Sequence, residues 1–186
     1  MVNLYIMIII DNFIKDPRLL AEIQSDSNWQ GTLPYSWFDS CGSPPSNVWE
    51  RVTAMIWSTV GKDFGEAPDS FDGVEYWSNI MSVGGRQQDL PWHFDKDEAH
   101  CAATGELISP YVGSVYYAHT GLPDEGYLEM RRGDGEGDVE RIQPVSNRLV
   151  IFDSAKVHRV TPVTGGMRRC FATNIWITKP SEENFR

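Results

Sequence analysis

Val74-Glu75-Tyr76-Trp77-Ser78-Asn79-Ile80-Met81-Ser82-Val83 is the stretch at which the character of the chain changes. Its branched and aromatic side chains suit a pleated, half-buried surface. It opens a series of short β-rich runs separated by turn residues: Leu90 to Phe94, Tyr111 to Ala118, Tyr127 to Arg131, Val139 to Ile142, Arg148 to Phe152, Val157 to Pro162 and Arg169 to Thr178. Strands that follow one another without intervening helices point to a sandwich or barrel and exclude alternating βαβ units. Roughly eight of them suit a double-sheet jelly roll, the double-stranded β-helix.

Upstream of Val74 the pattern is mostly helical. The apolar start from Val2 to Ile10 reads as a strand; it has no basic leader and no small-residue cleavage site, and Asp11 ends it too early for a membrane span. Asp16 can cap a helix whose first residue is Pro17, with Leu19, Leu20 and Ile23 on one face. Ser36 to Asn47, rich in Pro, Ser and Gly, reads as a loop. Ser46 is the expected cap of a second helix burying Trp49, Val52, Ile56 and Val60, and Gly61 is its expected left-handed stop. The fold class is therefore mainly β with N-terminal helices (α+β). One domain is expected over residues 1–186, with helical support to about 73 and a jelly-roll core over about 74–178.

Two longer connections interrupt the strands, Lys96 to Pro110 and the Gly/Asp-rich Gly133 to Asp138. The second lacks the ligand ladder and terminal Glu of an EF-hand, so a hairpin turn is expected there.

Composition narrows the function classes. With 41% hydrophobic and 12% aromatic residues, including seven tryptophans, the chain can bury a core without disulfide staples. A net charge of -10 opposes any surface that tracks a phosphate backbone, so nucleic acid is not an expected partner, and the short apolar start makes a membrane none either. Cys41, Cys101 and Cys170 are odd in number and contain no CxxC pair, which fits reduced thiols in a cytoplasmic protein.

Chemistry concentrates in Trp92-His93-Phe94-Asp95 and, far downstream, in His158 and Arg168. Alternate side chains of a strand share a face, so His93 and Asp95 are expected to point together and Phe94 into the opposite layer. His158, at the start of a later strand, can supply a third contact. Two imidazoles and a carboxylate form the facial set that holds a divalent iron and leaves three positions open. His100 and His119 are alternatives to His158, but their positions in an insertion and at a turn favour exposure. Asp97 and Glu98 read as a solvated acidic face.

The ordered set His93-Phe94-Asp95, Val115-Tyr116-Tyr117, Glu125-Gly126-Tyr127-Leu128, His158 and Arg168 resembles the 2-oxoglutarate- and Fe(II)-dependent oxygenases, within them the prolyl 4-hydroxylase-like branch. The resemblance spans Tyr76 to Trp176, and Ile10-Asp11-Asn12-Phe13 is similar to the opening of such domains. It departs from the pattern at Glu125-Gly126, where two glycines are usual. The resemblance implies Fe(II) on His93, Asp95 and His158, and 2-oxoglutarate held at its distal carboxylate by Arg168, with Tyr117 and Tyr76 as candidate hydroxyl donors. It further implies an O2-dependent hydroxylation that releases succinate and CO2. Asp95 favours a hydroxylase over the related halogenases, which lack that carboxylate. A peptidyl proline and a small molecule are both compatible substrates, with Trp29 to Asn47 and Lys96 to Pro110 expected to frame the entrance. Two other classes stay open on the residues alone: a non-catalytic metal-binding jelly-roll module, and a zinc hydrolase, for which no HExxH general-base motif is present.

Overall fold

The computed structural model describes residues 7–39, 44–63, 71–132 and 138–181, without the side chains of 61–63. In chain order the strands are β1 (Met7–Ile10), β2 (Ser36–Asp39), β3 (Gly73–Ser82), β4 (Leu90–His93), β5 (Val112–Tyr117), β6 (Asp124–Glu125), β7 (Leu128–Arg131), β8 (Val139–Ile142), β9 (Leu149–Phe152), β10 (His158–Val160), β11 (Val163–Gly165) and β12 (Met167–Trp176). Three α-helices accompany them: α1 (Pro17–Gln24), α2 (Val48–Asp63) and α3 (Glu98–Thr104).

A six-stranded sheet of order β1-β9-β5-β12-β3-β2 faces a four-stranded sheet of order β4-β10-β7-β8, and β11 pairs with β6 at the rim. Neighbours pair antiparallel throughout. This is the expected jelly roll, and each of the eight predicted runs from Val74 onward coincides with a strand to within two residues at either end.

Two apolar layers follow from strand periodicity. Between the sheets lie Val115, Tyr117, Leu128, Met130, Ile142, Val150 and Phe152. Behind the six-stranded sheet, α1 and α2 bury Leu19, Ile23, Trp49, Val52, Ile56 and Val60 against Tyr76, Tyr116 and Phe171. Asp16 caps α1 by accepting from the Arg18 amide at 2.9 Å, with Pro17 in its first turn as expected.

Four local expectations are corrected. Asn47, not Ser46, caps α2, its Oδ1 accepting from the Glu50 amide at 3.0 Å; Glu50 reaches back to the Ser46 amide and hydroxyl. Gly61 does not stop α2, which continues to Asp63; one glycine costs a helix only about 1 kcal/mol against alanine. The stretch read as a loop contains β2, whose Ser36 to Asp39 add an edge to β3 opposite Tyr76 to Gly73. Sheet pairing decides that assignment, and local composition does not carry it. Finally, Asp97 is not part of a solvated face. It is 4% exposed, caps α3 through the His100 amide at 2.9 Å, and receives the Ser181 amide and hydroxyl on its other oxygen.

Cys101 and Cys170 are free thiols. Cys41, residues 2–6 of the expected first strand, and 133–137 of the expected hairpin turn lie outside the described residues. Among the described residues no helix is long and apolar enough to cross a membrane.

Candidate metal centre

β4 and β10 are neighbours in the four-stranded sheet, and their register sets His158 directly opposite His93. The chain leaves β4 after His93, and the Asp95 amide donates to the Ser154 carbonyl at 2.9 Å, which turns the Asp95 carboxylate toward both rings. Asp95 Oδ1 lies 3.8 Å from His93 Nε2 and 4.0 Å from His158 Nε2. Two donors each about 2.1 Å from a shared ion and at right angles to one another stand about 3 Å apart, so the carboxylate and each ring would close by about 1 Å to share one face of a common metal. The donor atoms of all three residues lie within 4.8 Å of one another.

Backbone contacts orient both imidazoles identically. His93 Nδ1 is 2.8 Å from the Pro91 carbonyl and His158 Nδ1 is 2.8 Å from the Lys156 carbonyl. A carbonyl accepts only from N–H, which puts the proton on Nδ1 and leaves each Nε2 lone pair for an ion. Burial lowers the pKa of His158, Asp95 opposing and His93 reinforcing that shift, so the ring is held neutral as a ligand must be. The chemistry of this donor set fits a divalent iron.

The three residues border a cavity of about 600 Å³ between the sheets, with Leu128, Phe152 and Val160 among its apolar walls. Arg168 lines the same cavity from β12 while being only 1% exposed. Its guanidinium lies 5.1 Å over the Tyr117 ring, and one nitrogen contacts Cys170 Sγ at 2.9 Å and Met81 Sδ at 3.7 Å. No carboxylate pairs with it among the described residues; its Nε and the Tyr117 hydroxyl are both buried and meet no well-formed hydrogen-bond partner there, although the guanidinium and the phenol interact with one another. A buried cation left so costs several kcal/mol, and a fork of unused donors beside a phenol is what an anionic ligand would satisfy. Burial raises the Tyr117 pKa, with Arg168 opposing, so the hydroxyl keeps its proton and can donate.

Close packing fixes that guanidinium. Gly126 sits at φ 69°, and a Cβ there would stand 2.9 Å from Val163 Cγ2 and 3.1 Å from Arg168 Cδ. Glu125, in the usual place of a first glycine, adopts φ 61° regardless, at a cost of about 1 to 2 kcal/mol.

The remaining predicted residues separate clearly. Tyr76 does not reach the cavity: it is one strand position out of phase with Glu75 and Trp77, and its ring packs 5.7 Å from Phe171 in the layer against α2. Phe94 is corrected in the other direction. Because β4 ends at His93, Phe94 escapes strand alternation and lines the cavity. His119 is buried, not exposed, with Nε2 3.0 Å from the Pro144 carbonyl, whereas His100, on α3, pairs with Glu106 just beyond that helix. Arg169 points to the opposite face, as expected, and meets Asp26 at 2.7 Å. Of the two expected entrance segments, Thr32 to Tyr35 and then Lys96 and Glu98 border the cavity.

Sequence reasoning overlooked Glu75, which lines the cavity beside Asn174. Its inward position is set by the register of β3 against β12, and a buried carboxylate there is costly unless used.

The sequence profile of the 2OG-Fe(II) oxygenase superfamily matches residues 77–178. A double-stranded β-helix carrying two histidines and an aspartate between its sheets defines an iron oxygenase of this type, and the chain belongs to the 2OG-Fe(II) oxygenase superfamily. Its cofactors are those of the family, Fe(II) and the cosubstrate 2-oxoglutarate. Among solved structures the fold is similar to a Pseudomonas putida prolyl-4-hydroxylase, at 17% identity and a TM-score of 0.63 over 95% of this chain and 90% of that one. It is similar also to a Trichoplax adhaerens prolyl hydroxylase in complex with a hypoxia-inducible-factor peptide fragment, at 15% identity and 0.60 over 91% and 83%. HygX from Streptomyces hygroscopicus, with nickel, 2-oxoglutarate and hygromycin B bound, matches at 14% identity and 0.56 over 91% and 83%. No curated protein sequence matches the chain.

Proposed function

We propose that this oxygenase hydroxylates an organic substrate while converting 2-oxoglutarate and O2 to succinate and CO2. The observation that carries the reading is the pairing of an Nε2, Nε2, carboxylate donor set with a buried guanidinium that has no counter-ion, both on one cavity. When bound, Fe(II) supplies the O2-activating and C–H-oxidising chemistry that no amino-acid side chain has.

The residues divide the remaining work. His93, Asp95 and His158 would hold the ion, as two imidazoles and a carboxylate suit a divalent iron. Arg168 binds the distal carboxylate of 2-oxoglutarate through its planar fork, and the Tyr117 hydroxyl donates to the same group. The cosubstrate thereby neutralises the buried cation and satisfies both orphaned donors. Leu128, Phe152 and Val160 exclude water around the reacting centre. Glu125 and Gly126 carry the backbone past Arg168 closely enough to fix its aliphatic stem.

A non-catalytic metal-binding module would have no use for an unpaired, fully buried arginine. A zinc hydrolase would equally leave that arginine unused. The test is succinate formation from Fe(II), 2-oxoglutarate and O2, compared among wild type, Asp95→Ala and His158→Ala. Both variants should lose at least 100-fold of the activity and most of the retained iron while melting within a few degrees of the metal-free wild type. Undiminished succinate in both variants overturns the ligand assignment.

A further inference from the structure

The inner face of the six-stranded sheet is electrically polar. Arg168 pairs with Met81 at one end of the β12–β3 ladder and Asn174 pairs with Glu75 toward the other. Six residues of strand separate Arg168 from Asn174, about 20 Å at 3.3 Å per residue. The cation end is taken by 2-oxoglutarate in the function proposed above, on which this inference rests. The carboxylate end has no assigned partner.

Glu75 is 5% exposed, yet it lines the cavity. Trp176 Nε1 at 3.2 Å and Asn174 Nδ2 at 3.5 Å both donate to the same oxygen, Oε2. No donor among the described residues reaches Oε1. The charged neighbours that act on Glu75 are Asp95 and Asp97, both acidic. Burial, reinforced by those carboxylates, pushes the Glu75 pKa up to about 7, which marks a desolvated acid with no cation nearby.

Two further features lie on the same side of the cavity. Trp77, two residues along β3 on the same face, stacks with Tyr35 at 4.9 Å between centroids and 34° between planes. Tyr35 is 48% exposed, so the aromatic pair reaches from the cavity wall to solvent. Burial is the main cause that raises the Tyr35 phenol pKa, and Glu75, Asp95 and Glu98 add to it, so the pair has acidic groups around it. Lys96 also borders the cavity, but it is engaged by Glu98 at 2.7 Å and lies 5.0 Å from the Phe94 ring centroid.

A desolvated carboxylate oxygen beside aromatic faces is the recognition chemistry of an organic cation, which gains both a charge-assisted hydrogen bond and attraction to the ring quadrupole. A neutral donor could satisfy Oε1 but would leave the charge of the ionised carboxylate uncompensated, and an acidic group would be repelled. We propose that the substrate carries an ammonium or guanidinium group, received by Glu75 Oε1 and the Tyr35–Trp77 pair, while its reacting carbon faces the His93, Asp95 and His158 centre. Glu75 is on this account a specificity-determining residue, and the cosubstrate and substrate are distinguished by opposite charges at opposite ends of one ladder.

The experiment is calorimetric binding to the anaerobic, Ni(II)-loaded protein saturated with 2-oxoglutarate. Its probes are N-acetyl-arginine amide and the neutral isostere N-acetyl-citrulline amide. Wild type should bind the arginine probe at least tenfold more tightly. Glu75→Gln, which keeps the size and an oxygen acceptor for Trp176, should abolish that ratio, and Tyr35→Ala, at an exposed position, should weaken the arginine probe severalfold. Equal affinities in wild type, no binding of either probe, or an unchanged preference in Glu75→Gln overturns the proposal. Binding is read without turnover, so an absence of succinate formation would count against the hydroxylase reading and leave this result standing.

Discussion

On one face of β12, Phe171 and Ile175 pack among Trp49, Tyr76 and Ile56; on the other, Arg168, Cys170 and Asn174 look into the cavity. The first face is apolar, and its rings make contacts such as Phe171 with Trp49 at 5.2 Å. The second keeps a guanidinium without a counter-ion, and Asn174 on it meets Glu75 of β3, a carboxylate with one oxygen unused. The strand therefore divides its labour by residue parity: odd positions from Arg169 to Ile175 stabilise, and the even positions face the cavity, where Arg168 holds unmet polar capacity at a cost in stability. That cost is the signature of a site that a ligand completes.

The contrast can be broken from either side. Phe171→Ala should give the largest change, a loss of about 3 to 5 kcal/mol in denaturant unfolding from transfer and cavity terms together. The affinity of the folded protein for 2-oxoglutarate should stay within about threefold; a loss in strict proportion to stability would erase the division between faces. Arg168→Met should do the reverse. Losing two charge-assisted hydrogen bonds raises the 2-oxoglutarate requirement by about 100-fold or more, while the melting temperature holds or rises because a buried unpaired charge has gone. A lower melting temperature with unchanged cosubstrate dependence would make Arg168 structural. The smallest effect sharpens the parity argument: Tyr117→Phe should raise the 2-oxoglutarate requirement several-fold, the value of about one hydrogen bond, and Tyr76→Phe should leave it unaltered. Equal responses of the two tyrosines would refute their assignment to opposite layers.

The residues that were legible in the sequence are those fixed by period and order. His93, Asp95, His158 and Arg168 stand in a sequence whose spacing already implies two sheets, and the eight runs from Val74 onward announce their strands by composition. What escaped was decided by tertiary partners. Tyr76 and Glu75 are neighbours in the chain, and only the register of β3 against β12 tells which one faces the cavity. β2 exists because β3 offers an open edge, not because Ser36 to Asp39 favour a strand. Phe94 enters the cavity because β4 ends one residue before it. Asp97 is buried because Ser181, far away in the chain, returns to complete its hydrogen bonds.

The central claim is that the triad and Arg168 form one composite site, in which the triad would hold the iron and Arg168 the far carboxylate of the cosubstrate. Anaerobic titration of 2-oxoglutarate into the wild-type protein, with and without Fe(II), tests it most directly. The account predicts stoichiometric binding to the iron-loaded protein and at least 100-fold weaker binding without iron. Equal affinity in both forms, or no binding to the iron-loaded protein, would contradict it.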